Sequence, residues 1–244
     1  METLNVAAYR FVAIADPSAL VARLREWGEA LGLKGTVLVA GEGINLFLAG
    51  ASASVEEFLG RLGQDERFAS LAIKCSYSQG VPFRRLRVRL KREIITFRKH
   101  DLAPARGRAL SVAPEVLAKW LQDVRDEQGR ELVLLDTRNR QEVEHGSFER
   151  ALTLPIDRFT DLPEALEAHR DVLAGKTVVS FCTGGIRCEK AALWMAQTGY
   201  DNVLQLEGGI LGYFEKVGGQ GYAGGCFVFD ERVALDPALQ PSPK

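Results

Sequence analysis

The apolar positions of the first hundred residues fall into two rhythms. Residues 5–14 set Ala8, Phe11 and Val12 among polar neighbours, the spacing of a half-buried strand. Asp16-Pro17 then marks a helix start, with Asp16 as N-cap and Pro17 in the first turn; the helix runs to about Leu31 and Gly32 ends it. Residues 34–40 and 44–49 read as strands joined through Gly41-Glu42-Gly43, a hairpin. Ser52 or Ser54 caps a second helix reaching about Leu62, with Glu56 and Glu57 in its first turn. Residues 71–77 and 86–97 supply the remaining strands.

The resulting order, β-α-β-β-α-β, is a ferredoxin-like plan, and an acylphosphatase-type α+β domain is expected over residues 1–98. Residues 99–111 carry Pro, Gly and charge without periodicity and read as a linker. A second domain follows over 112–222. Ser111 is expected to cap a helix at 114–122, and 132–135 to form a short strand ending at Asp136. Arg140 starts a helical turn. Strands at 151–154 and 178–181 flank a helix at 162–174, and 203–206 is a further strand. Strands alternating with helices imply an α/β domain with a central parallel sheet and helices on both faces. Residues 223–244 are expected to be a largely irregular tail with a mobile Pro-rich end, although residues 226–229 could add a last strand.

Composition narrows the class. The 244 residues hold 46% hydrophobic and 26% charged positions, ordinary for a globular protein. No apolar run approaches a membrane span of about 18 residues. The opening Met-Glu-Thr-Leu-Asn has no basic n-region, so no secretory signal is expected and cytoplasm is the default. Cys75, Cys182, Cys188 and Cys226 show no metal-ligand spacing, and neither a metal nor a bound cofactor is expected. Residues 1–111 have 17 Lys/Arg against 11 Asp/Glu, whereas 112–244 have 14 against 21. The basic first half hints at a polyanionic partner.

The chemistry concentrates at 177–190, Thr-Val-Val-Ser-Phe-Cys-Thr-Gly-Gly-Ile-Arg-Cys-Glu-Lys. A buried β-branched strand runs into Cys182, the six residues Cys182, Thr183, Gly184, Gly185, Ile186 and Arg187 form a loop, and a helix is expected from Glu189. Two glycines let successive N–H groups turn toward one point, and a helix N-terminus adds its positive end. A thiol held there should ionise easily, and the thiolate is the nucleophile. Arg187 offers a planar cation. This reading requires the Cys182 sulfur to be both ionised and reachable.

That segment resembles the active-site loop of the rhodanese superfamily. Leu-Leu-Asp-Thr-Arg ending at Arg138 resembles the family's strand-end Asp-x-Arg, and the Gly199 to Gly209 stretch resembles the Gly-x-x-x-Val-x-x-Leu-x-Gly-Gly that closes the fold. A six-residue loop is the length of sulfur-handling members; the related phosphatases have seven. With the preceding Lys-Gly-Thr-Val-Leu-Val-Ala and Glu-Gly-Ile-Asn of the first domain, nearly the whole chain resembles the bacterial tRNA uridine hydroxylase family. The resemblance implies oxygen-dependent formation of 5-hydroxyuridine at the tRNA wobble position, with Cys182 as the catalytic residue and the anticodon stem-loop as the partner. Longer members continue into a Cys-rich tail, so a shorter branch is expected here. The rhodanese loop alone also implies a sulfurtransferase that takes sulfane sulfur from a small donor as a Cys182 persulfide. A third alternative is a redox-sensing module without turnover.

Other positions support one reading or the other. Arg85, Arg87, Arg89 and Lys91 alternate with Leu86, Val88 and Leu90, which puts four cations on one sheet face. Such a row suits a tRNA backbone, and it equally suits a solvated edge guarded against aggregation. Asp136 and Arg138 pair with the loop or with each other. Cys188 either resolves an oxidised Cys182 or packs in the helix. Glu42 and Asn45 flank a turn and read as turn chemistry. His100, His145 and His169 have no Cys or Asp partner by spacing.

Overall fold

The computed structural model describes residues 2–99 and 101–242 and divides into two compact units, Met1–Thr96 with Asp230–Arg232, and Phe97–Phe229 with Val233–Lys244. In the first unit the elements are β1 (Thr3–Phe11), α1 (Pro17–Ala30), β2 (Lys34–Ala40), β3 (Gly43–Gly50), α2 (Ser52–Gly63), β4 (Ile73–Ser78) and β5 (Leu86–Leu90). The strands form one sheet in the order β4-β1-β3-β2-β5. The first four are antiparallel neighbours, and β5 joins the open edge parallel to β2. Leu20, Val21 and Leu24 of α1 and Val55, Phe58 and Leu62 of α2 share a core with Val37, Val39, Ile44, Leu46 and Leu48 of the sheet. This is the α+β plan expected, and the two strands after α2 take opposite edges of the sheet.

Three local expectations change. The strand expected over 86–97 stops at Leu90. Beyond it, Ile94 N–H donates to Glu42 Oε1 (2.8 Å), and Asn45 Nδ2 donates to the Ile94 carbonyl (3.3 Å). Glu42 and Asn45 therefore clamp the segment after β5, a larger task than turn chemistry, and Ile94 is buried. Asp16 occupies the N-cap position of α1 without a side-chain cap bond, because its carboxylate accepts from Arg67 Nη1 (2.8 Å).

The second unit contains β6 (Ser111–Val112), α3 (Pro114–Asp123), β7 (Leu132–Asp136), α4 (Arg140–Val143), β8 (Gly146–Phe148), β9 (Leu152–Thr153), α5 (Leu162–Glu167) and α6 (Arg170–Leu173). It continues through β10 (Thr177–Phe181), α7 (Ile186–Gln197), β11 (Val203–Leu206), α8 (Gly209–Val217), β12 (Tyr222–Gly224), β13 (Cys226–Phe227) and β14 (Ala234–Leu235). Five parallel strands run β6-β11-β10-β7-β9, with β10 in the centre and wholly buried. Val179 and Phe181 pack with Leu117 of α3 and with Ile210, Tyr213 and Phe214 of α8. Side chains alternate across a strand, so Val178 and Ser180 turn to the opposite face.

Ser111 does not cap α3; it pairs in β6 with Gln205, and Ala113 takes the N-cap position ahead of Pro114. The helix expected over 162–174 breaks into α5 and α6 around His169. Residues 222–235 are not the irregular tail expected. Cys226, Val228 and Leu235 join the core, and β12 and β13 pair with β8 and β14. Burial of these apolar side chains outweighs the cost of ordering a stretch with little regular structure of its own. The last two residues of that expected tail lie outside the described residues.

Candidate active site

Strand β10 ends at Phe181, and the chain turns through Cys182, Thr183, Gly184 and Gly185 into α7. Gly185 is the N-cap residue at φ 99°, a left-handed conformation in which a side chain would be strained. The helix begins at Ile186, one turn earlier than expected, so Arg187 and Cys188 stand in its first turn. That brings the positive helix end close to the sulfur. The Gly185 N–H donates to Cys182 Sγ at 3.1 Å. The carbonyls of Cys182 and Thr183 point the other way and accept from the Ile210 and Leu211 N–H groups at the start of α8 (2.9 and 3.0 Å). With its carbonyls occupied by α8, the turn presents its amides to the sulfur.

Burial alone would push the Cys182 thiol up. A hydrogen bond from Cys188, the Arg187 charge and the amides of Arg187 and Gly185 outweigh it and bring Cys182 down to about 5. Cys188 moves the opposite way, raised by burial and by its neighbour's charge. Of the two thiols, Cys182 is the thiolate at neutral pH, and Cys188 is a neutral donor that also lies 3.7 Å from Thr137 Oγ1.

Arg187 is buried and forked onto Glu142, with Nη1 to Oε2 and Nη2 to Oε1 both at 2.6 Å. Burial works against ionisation of Glu142, but the bonds and charge of Arg187 overcome it and lower its carboxyl below the usual range. Sequence reasoning missed Glu142. A signal existed: Asn139 and Glu142 are the N-cap and N3 residues of α4, an Asn-x-x-Glu capping pattern, and the Asn139 N–H donates to Glu142 Oε2 (3.1 Å).

Asp136 and Arg138 pair with each other, not with the loop. Arg138 Nη2 lies 2.6 Å from Asp136 Oδ2, both side chains are 0% exposed, and Nη2 also donates to the Gly146 carbonyl (2.7 Å). Ser147 Oγ donates to Asp136 Oδ2 (2.8 Å). The pair ties the end of β7 to β8. Arg85, Arg87, Arg89 and Lys91 are exposed along the edge strand β5 and just before and after it, while Val88 is buried in the core. Leu90, expected on the apolar face, is 51% exposed. His145 packs its ring against Phe227, 5.2 Å between centroids, and His169 Nδ1 sits 3.0 Å from the Ala165 carbonyl; His100 lies outside the described residues.

One requirement of the sequence reading is not met. The Cys182 sulfur is ionised but not reachable: the residue is 0% exposed. The turn itself is tightly packed: Gly209 sits so near it that a Cβ there would come within 2.5 Å of the Cys182 carbonyl, and Thr183 Oγ1 donates to the Phe227 carbonyl at 3.3 Å.

A parallel sheet whose central strand delivers a thiolate into a glycine-amide turn defines a rhodanese-like domain, and residues 117–216 match the family model described as a rhodanese-like domain. Residues 3–94 match the model of a UPF0176 acylphosphatase like domain. The chain belongs to the tRNA uridine(34) hydroxylase family. It is 65% identical to the protein of that name from Xanthomonas axonopodis pv. citri, over 97% of this chain and 96% of the relative. It is 64% identical to the one from Xanthomonas euvesicatoria pv. vesicatoria, covering 98% and 96%. It is 57% identical to the one from Xylella fastidiosa, covering 99% and 94%. Among the described residues no helix is long and apolar enough to cross a membrane, and no group of three or more His, Cys, Asp or Glu is placed to hold a metal ion.

Proposed function

We propose that this protein hydroxylates uridine 34 of tRNA at C5, with Cys182 as the nucleophile. The supporting observation is the lowered ionisation of Cys182, about 5, beside the Gly185 N–H and Arg187. The thiolate adds to C6 of the uracil ring. The C5–C6 double bond opens, and its electron pair moves into an enolate over C5 and O4. Dioxygen reacts at C5; one oxygen atom stays on C5 and the other leaves as water, with two electrons and two protons drawn from an external reductant. Loss of the C5 proton then expels the thiolate from C6 and restores the ring. Loop amides and Arg187 stabilise the sulfur anion before addition and after expulsion.

The substrate class follows from the relatives' shared name. The anticodon stem-loop is gripped by the exposed row Arg85, Arg87, Arg89 and Lys91, whose spacing suits successive phosphates. Asp136 and Arg138 support the site by fixing the end of β7, and Cys188 supports it as a hydrogen-bond donor to the thiolate. For the uracil ring to reach the buried sulfur, the groups that cover it must part when tRNA binds. A soluble, cytoplasmic setting fits a tRNA substrate.

The test is nucleoside mass spectrometry of tRNA from a deletion strain complemented with wild type or with Cys182→Ser. The expected result is wobble 5-hydroxyuridine restored by the wild type and absent with Ser. Normal levels with the Ser variant would dismiss a catalytic Cys182. Thiocyanate release from thiosulfate and cyanide without a tRNA change would instead identify sulfur transfer from a small donor.

A further inference from the structure

Two anions compete for one guanidinium. Glu142 takes both Nη atoms of Arg187 at 2.6 Å, and the charge of the same side chain helps hold Cys182 below its ordinary range. Glu142 and Arg187 are both buried, so water screens little of this interaction. We infer that Glu142 is a positioning residue for the Cys182 reaction, fixing Arg187 and drawing part of its charge away from the sulfur. The inference rests on Cys182 being the nucleophile.

The reason lies in what a nucleophile needs. A thiolate loses intrinsic reactivity as its conjugate acid grows stronger, with a Brønsted slope of about 0.4–0.5. A sulfur held against an unopposed, buried Arg would be fully ionised and sluggish. Glu142 prevents that by supplying the second negative charge. It also keeps a buried guanidinium from standing uncompensated.

The other charged and titratable groups around the sulfur do not take this part. On α7, Cys188 is a neutral donor. At the end of β7, Asp136 and Arg138 are closed on each other. On β13, Cys226 is pushed up to about 12 by burial and stays neutral. His145, after α4, lies against the Phe227 ring. Further along α7, the Glu189 carboxylate accepts from Arg108 and Gln205.

The experiment is a pH titration of thiolate absorbance near 240 nm on the full-length protein, each curve corrected with the matching Cys182→Ser background. Glu142→Gln keeps the shape of the side chain and removes its charge. Its midpoint should fall by on the order of one pH unit, because Arg187 then serves the sulfur alone. Glu142→Asp, which restores a carboxylate, should recover part of the shift. The single-turnover rate of uridine hydroxylation by Glu142→Gln should drop about threefold for each unit lost. An unchanged or higher midpoint in Glu142→Gln overturns the inference. Should that variant not fold, Arg187→Gln is compared with Arg187→Gln combined with Glu142→Gln; the single variant should titrate above the double one, because the carboxylate left behind opposes the thiolate, and equal midpoints overturn the inference. A fallen midpoint in a protein whose wild type forms no 5-hydroxyuridine would retain the charge sharing and reject the hydroxylase reading.

Discussion

Thr183 Oγ1 donates to the Phe227 carbonyl at 3.3 Å, which fastens the turn that carries Cys182 to strand β13. This bond joins residues 44 apart in sequence, and losing it should loosen the turn that holds the buried sulfur. Replacing Thr183 by Val keeps the volume and removes the donor. Alkylation of Cys182 by iodoacetamide, followed by peptide mass spectrometry, should be slow in the wild type and several-fold faster in Thr183→Val. Equal rates would show that this bond does not control access to the sulfur.

The ionisation of Cys182 gives a pH dependence with a defined sign. Its folded value, about 5, is below its ordinary value of 9.0. The reactive thiolate is therefore present above about pH 5, and hydroxylation should rise through that pH and stay level across neutrality. An unperturbed thiol would put the rise near pH 9. Stability follows the same linkage. Between about pH 5 and 9 the unfolded chain holds a proton that the folded one has released, so the contribution of Cys182 grows over that window and is lost as pH falls through about 5. Thermal melts of Cys182→Ser should thus diverge most from wild type at the alkaline end.

Gly209 at φ 63° leaves no room for a side chain: an added Cβ would lie 2.5 Å from the Cys182 carbonyl and 2.7 Å from the Gly185 nitrogen. Gly209→Ala should cost about 1–3 kcal/mol for the backbone conformation alone, before any clash is counted. It should also displace the Gly185 N–H from the sulfur. A lower melting temperature together with a raised Cys182 titration midpoint is the expected pair of results.

The edge row makes a separable prediction. Arg87→Glu with Arg89→Glu should raise KM for tRNA and leave kcat close to wild type, because neither residue lies in the unit that holds Cys182. If each contacts one phosphate, the slope of log affinity against log salt should flatten by about 0.7–0.9 per residue removed. An unchanged KM would return the row to the simpler task of guarding an exposed strand edge.

Much of the molecule was legible because its signals are local. The strand leading into Cys182, the glycines after it and the alternating order of elements all announce themselves within a few residues. The features that were not legible depend on distant partners. Glu142 is 45 residues from Arg187, and Glu42 is 52 from the Ile94 amide it holds. Leu86–Leu90 reads as a strand, but its parallel place beside β2 is set by the sheet edge left open by the other four. Residues 222–235 look loose because their apolar positions follow neither a helical nor a strand period over any length; Cys226, Val228 and Leu235 find their place only against a core built from other segments. The misplaced start of α7 has a similar cause. Gly185 was read as loop, whereas its left-handed conformation makes it the first fixed point of the helix.

A sulfur that solvent does not touch is spared more than water. Peroxides, heavy metals and electrophilic metabolites can meet Cys182 only in the intervals when its cover is apart. Durability of the idle protein and speed of the working one would then both be governed by a single quantity, the frequency of those openings, and a substrate that itself prompts them would gain turnover without shortening the protein's life at rest.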